Sequence, residues 1–138
     1  MVLSAQNSVL RLKSACGQMG VKITHSDSGS TTGPPAESEY AAEQPDLLVD
    51  ALLGIGPESE LRGAVVTWID EINRRCLPVL AVDLPSGLHA MSGIVLGVAI
   101  RASQTLCLVG WKPGLLTGQG PELTGQLPGC FQTGEWGP

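Results

Sequence analysis

The 138-residue chain has no CxxC pair. Its four cysteines, Cys16, Cys76, Cys107 and Cys130, stand far apart, which excludes a zinc knuckle and a dithiol redox motif. Free thiols fit a reducing compartment, and the expected location is cytoplasmic. No apolar run approaches the length needed to cross a bilayer, although hydrophobic residues make up 43% of the chain. No membrane partner is therefore expected. Clustered Lys and Arg are also missing, and the net charge is −5. A nucleic-acid binder concentrates positive charge on one face, so no nucleic-acid partner is expected either. The N-terminal "MVLSAQNSVLRLKSACGQ" lacks the continuous apolar core of a secretory signal. It is poor in acidic residues, as organellar presequences are, which leaves that address as the alternative. No internal repeat or extended low-complexity tract is present.

What is present is an alternation of helix and strand signals. Leu61, Val65, Trp68, Ile69, Ile72 and Cys76 recur at helical spacing and predict an amphipathic helix over 60–76, with Asp70, Glu71, Arg74 and Arg75 turned to water. Before it "PDLLVDALLG" and after it "LPVLAVDLPSG" are short apolar runs bounded by Pro and Gly, as strands covered on both faces tend to be. The three read as one βαβ unit. A further strand is predicted at "QTLCLVG", and "WKPGLLTGQGPELTGQLPG" is crowded with turn formers. Upstream, a helix closed by Gly17 or Gly20, a strand "VKITH", the loop "SDSGSTTGPP" and a helix around 36–44 complete the pattern. The expected fold is α/β, a three-layer sandwich around a mainly parallel sheet, in a single domain.

In an open parallel sheet, ligands bind beyond the carboxyl ends of the strands. Asp50 and Asp83 lie late in two strands made neighbours by the intervening helix, so both carboxylates are expected at one crevice. "GIGPESE", residues 54–60, adds two glycines and leads into a helix whose N-terminal N–H groups favour anions. Ser86, on the Pro85–Gly87 turn, adds a hydroxyl. Such oxygens are hard ligands for alkali or alkaline-earth cations, while a phosphate would use the glycine loop. Blander readings stand beside these. An Asp after a strand is often a cap or turn acceptor. "GIG" is neither GxGxxG nor a P-loop. His25, His89 and Lys112 each read as solvated, and Ser86 has no GxSxG elbow to make it a hydrolase nucleophile.

Taken together, "VDALLGIG", "LRGAVVTWIDEIN", "LPVLAVDLPSGLHAMSG" and "KPGLLTGQG", in this order, resemble the YjeF N-terminal domain family, the NAD(P)H-hydrate epimerases, over about residues 46 to 127. The resemblance implies a Rossmann-like sheet and an isomerase of nicotinamide-nucleotide repair that interconverts the R and S forms of NADHX and NADPHX. It implies a potassium ion on Asp50 and Ser86. Gly54, Ile55, Gly56, Pro57, Glu58, Ser59, Glu60 and Asp83 would bind the substrate, with Asp83 as the catalytic acid/base. A homodimer, and a fused or separate ADP- or ATP-dependent dehydratase acting on the S epimer, are the protein partners it leaves open.

The chain also departs from the family pattern. Nothing in residues 1–45 matches the family's Asn- and Gly-rich GNNGGDG-type loop, which grips phosphates and supplies a further cation ligand. The chain is thus expected to be the C-terminal part of an N-terminally truncated domain, with weak or no epimerase activity. The alternative is a non-catalytic nucleotide-binding or protein-interaction fragment. Met91, Ser92 and Ser103 stand where the family tends to have Asp-Thr and Asp, which is expected to loosen the loop after "DLPSG". The tail "FQTGEWGP" has no counterpart.

Overall fold

In the computed structural model, residues 46–54 and 57–131 are described, and all fall in the unit Thr31–Pro138. The expected helices and strand before residue 46, His25, Cys16, Ile55 and Gly56 lie outside the described residues. Strands β1 (Leu48–Asp50), β2 (Val79–Val82), β3 (Gln104–Leu108) and β4 (Cys130–Phe131) form a parallel sheet in the order β1-β2-β3-β4. Three of these are the apolar runs the sequence marked, and helix α1 (Ala64–Arg74) joins β1 to β2 as the crossover of a βαβ unit. The α/β class and parallel sheet expected from the sequence are what form. Among the described residues no helix is long and apolar enough to cross a membrane.

Side chains alternate between the two sides of a strand, and paired residues of parallel neighbours share a side. Leu48 pairs with Val79, Asp50 with Ala81, Ala81 with Thr105 and Cys107 with Cys130, so these residues occupy one face. That face is where the core lies. Val65, Ile69 and Ile72 of α1 pack there on Val79, Ile100 and Leu48. Beside them Cys107 packs with Leu84, Leu88, Ala99, Leu115 and Leu123. Leu115 and Leu123 come from a 3-10 turn (Pro113–Leu115) and from the short α2 (Gly120–Leu123). On the opposite face, Leu80, Val82 and Leu106 are half-buried and Val49 is exposed.

The helix is shorter than the apolar spacing indicated. Its start waits for Gly63, whose φ of 73° and ψ of −150° suit glycine alone, and Leu61 is already tied by its N–H to the Leu96 carbonyl. At the other end Cys76 falls outside the helix at φ 53° and is exposed rather than part of the apolar stripe. Asn73 caps the packing: its Nδ2 donates to the Ala99 carbonyl (2.9 Å) and its Oδ1 accepts from Arg101 N–H (3.0 Å). Arg74 and Arg75 both bond Glu71, and hold its carboxyl below the usual range.

Candidate functional site

β1 delivers Asp50 as its last residue, on the buried face, and the chain after β2 brings Ser86 back over it. Asp50 is 1% and Ser86 2% exposed. The Ser86 hydroxyl donates to Asp50 Oδ1 (2.7 Å) and the Ser86 N–H to Oδ2 (2.8 Å). Leu52 N–H reaches Oδ1 at 3.3 Å, and Leu53 N–H donates to Ser86 Oγ at 3.0 Å. Ser86 is therefore a buried partner of Asp50. Among the described residues, no cationic side chain pairs with Asp50. A buried carboxylate without a counter-charge is costly unless a cation or several hydrogen bonds compensate it. A carboxylate offers about four lone-pair sites and a hydroxyl two, so each group keeps acceptor capacity beyond the bonds made here.

Gly87 makes this turn possible. It sits at φ 93°, and a Cβ there would fall 2.0 Å from the Val98 carbonyl oxygen. Ile100 N–H and Leu96 N–H bind the carbonyls of Ser86 and Gly87, so the 96–100 segment braces the turn from outside.

Asp83 follows β2 and leans the other way, onto β3. Its backbone φ is 72°, and Leu84 N–H donates across it to the Val82 carbonyl (2.9 Å). The same figure recurs beside it: Val109 follows β3 at φ 64°, with Gly110 N–H donating to the Leu108 carbonyl (2.7 Å). Both are γ-turns of the positive-φ kind, which is rare and strained. For a β-branched residue such as Val109 the conformation is an outlier. Strain of about 1–3 kcal/mol per residue persists where surrounding bonds over-determine it, and it gathers at functional sites.

The over-determining bonds are visible. Asp83 Oδ1 accepts from Leu108 N–H (3.0 Å) and from the Lys112 ammonium, which also donates to the Leu108 carbonyl (2.8 Å). Lys112, expected to be solvated, is instead 16% exposed in this ion pair. Pro113 holds the residue before it in an extended conformation, φ −83° and ψ 131°, from which the stem returns to the end of β3. Asp83 Oδ2 has no protein partner among the described residues. No buried side-chain oxygen there lacks one, so Oδ2 is not fully buried, in keeping with the 20% exposure of the Asp83 side chain.

The two aspartates thus end adjacent strands but have separate partners, Ser86 for Asp50 and Lys112 for Asp83. Of the loop after β1, Gly54 is exposed with nothing within 4 Å of a built Cβ. Pro57, Glu58 and Ser59 run on as loop, and Glu60 lies with its Cγ 3.1 Å from that position on Gly97. The segment does not pass straight into α1. His89, expected to be solvated, is half-buried, and Ser92 bonds its Nδ1 through both hydroxyl (2.8 Å) and N–H (3.2 Å). These bonds lie in the loop after "DLPSG" and involve Ser92, one of the residues that depart from the family pattern. Ser103 accepts from Val79 N–H (3.2 Å) at the start of β2. Among the described residues no cluster of three or more His, Cys, Asp or Glu could hold a metal.

The family model described as YjeF-related protein N-terminus matches residues 4–114. The chain belongs to this family. The YjeF-related match therefore includes the two strand ends, Asp50, Asp83, Ser86 and Lys112, and extends upstream of the motifs at 46–127. The bifunctional NAD(P)H-hydrate repair enzyme of Thermosynechococcus vestitus is 47% identical over 93 residues, 67% of this chain and 18% of that protein. The enzyme of the same name from Escherichia coli is 46% identical over 85 residues, 62% of this chain and 16% of that one. An NAD(P)H-hydrate epimerase of Limosilactobacillus fermentum is 38% identical over 94 residues, 68% of this chain and 45% of the relative. The chain thus aligns with less than half the length of each.

Proposed function

We propose that this chain binds NADHX and NADPHX and interconverts their R and S epimers slowly, as part of an NAD(P)H-hydrate epimerase site. The observation that carries this is the pair of carboxylates at the ends of adjacent parallel strands: Asp50, buried and with no cationic partner among the described residues, and Asp83, with one oxygen bound and the other without a partner among them. Relatives named for NAD(P)H-hydrate repair and epimerisation support the substrate class.

In this reading Asp83 is the acid/base. Epimerisation at C6 requires loss and return of the hydroxyl, or opening of the ring, and either needs a proton moved at the reacting carbon's substituents. Oδ1 is fixed by two donors, leaving Oδ2 to give and take that proton. Asp50 and Ser86 would hold a potassium ion: a single carboxylate with a neutral hydroxyl suits a hard cation, and a cation would add to the three hydrogen bonds that already compensate the buried charge. Bound there, potassium would offset the Asp50 charge and favour anionic groups nearby. Gly54, where a built Cβ meets nothing within 4 Å, would face the substrate together with the 57–60 loop. The S epimer would pass to a dehydratase, fused or separate.

Turnover is slow because no Asn/Gly-rich GNNGGDG-type segment occurs in the chain to grip the phosphates. That same lack favours a second reading, a nucleotide-binding module without catalysis. Assaying interconversion of the NADPHX epimers by wild type and Asp83→Asn, with binding measured in parallel, separates the two. Slow turnover abolished in Asp83→Asn is expected. Binding without turnover would leave only the module, and no binding would overturn both.

A further inference from the structure

We infer that Lys112 is the positioning residue of the site, acting through Asp83 by locking one carboxylate oxygen so that the other alone meets the ligand. This role rests on the epimerase reading and deepens it. The ammonium bridges Asp83 Oδ1 and the Leu108 carbonyl, while Leu108 N–H occupies the same Oδ1. Three bonds thereby join the γ-turn on Asp83 to the γ-turn on Val109, two strained links at the ends of adjacent strands. A carboxylate free to rotate would offer either oxygen in turn, and its backbone, at φ 72°, would relax. The Lys112–Asp83 pair removes both freedoms. With Oδ1 committed, Oδ2 is the oxygen left for a bound substrate. The pair is largely shielded, at 16% and 20% exposure, so water competes with it less than with a surface ion pair. Lys112→Arg keeps the charge and a donor within reach, whereas Lys112→Met keeps only the apolar stem.

The test is a double-mutant cycle read by NADPHX affinity in the 138-residue chain, with turnover measured beside it in wild type and the single Lys112 variants. The variants are Lys112→Met, Lys112→Gln, Lys112→Arg, Asp83→Ala and the Asp83→Ala/Lys112→Met double. Lys112→Met is expected to weaken binding or turnover by about ten- to a hundred-fold, the effect of losing a charge-assisted bond. Lys112→Arg should retain most of the wild-type value. In the Asp83→Ala background the Lys112 change should add nothing. Lys112→Gln serves in the cycle if Lys112→Met does not fold. Additive losses would mean that Lys112 contacts the ligand directly and would overturn the inference, as would a folded Lys112→Met or Lys112→Gln that behaves as wild type. If wild type bound no NADPHX at all, the functional reading itself would fall, an outcome distinct from either of these.

Discussion

Asp50 and Ser86 meet twice, hydroxyl to Oδ1 at 2.7 Å and backbone N–H to Oδ2 at 2.8 Å, although 36 residues separate them. The contact ties the end of β1 to the turn after β2 and makes the strand pairing and the site one structure. Removing the carboxylate strands two buried donors. Asp50→Ala is expected to lower stability by about 1–3 kcal/mol, read from the urea midpoint. A change within experimental error would show that the donors find other partners.

A cation that binds the folded chain and not the unfolded one stabilises it by mass action, about 2.7 kcal/mol at a hundred times its Kd. Potassium should therefore raise the urea midpoint of wild type relative to tetramethylammonium at equal ionic strength. Asp50→Asn keeps the side chain's size and removes its charge, and should abolish the difference.

Two glycines near the site should behave oppositely. Gly87→Ala meets both a φ of 93° and the Val98 carbonyl, and is expected to cost more than about 3 kcal/mol or prevent folding. Gly54→Ala meets nothing within 4 Å and should change stability by less than about 0.5 kcal/mol. Any loss of NADPHX affinity in Gly54→Ala is then a loss at the ligand rather than of the fold.

The described thiols differ in reactivity because only thiolates attack. Burial, reinforced by the neighbouring Cys130 thiol, pushes Cys107 up to about 11, and its Sγ lies 3.0 Å from the Gly110 carbonyl oxygen. At pH 8 iodoacetamide should modify exposed Cys76 and spare Cys107 until the protein unfolds. The sign of the linked stability follows: Cys107 raised from 9.0 gives stability that is intact below pH 9 and is lost as pH rises toward 11. Mass spectrometry of the native, alkylated protein and urea titrations from pH 8 to 10 check both.

Periodicity and strand composition reveal α1 and the three longer strands because they are local signals: Val65, Ile69 and Ile72 repeat at the helical period, and the strands are apolar runs between breakers. The helix ends are harder to read. Spacing alone carries Cys76 onto the stripe, while Gly63 and the left-handed Cys76 set the limits through backbone conformation. Asp50 and Asp83 were legible as strand-end carboxylates. Ser86 was paired with Asp50 only by the family resemblance, and Lys112 was not read as a partner of Asp83, since that bond spans 29 residues and forms only when turn geometry and sheet register bring them together. The γ-turn on Val109 leaves no sequence mark at all, a valine being among the residues least suited to it.

The most direct measurement is the affinity of the 138-residue chain for NADPHX by calorimetry, in potassium and in tetramethylammonium, for wild type and Asp83→Ala. The expected result is binding in potassium that weakens at least about ten-fold without it, the loss of roughly one charge-assisted contact set, and weakens likewise in Asp83→Ala. Equal affinity in both buffers with Asp83→Ala unchanged, or no binding to wild type in either, would contradict the account.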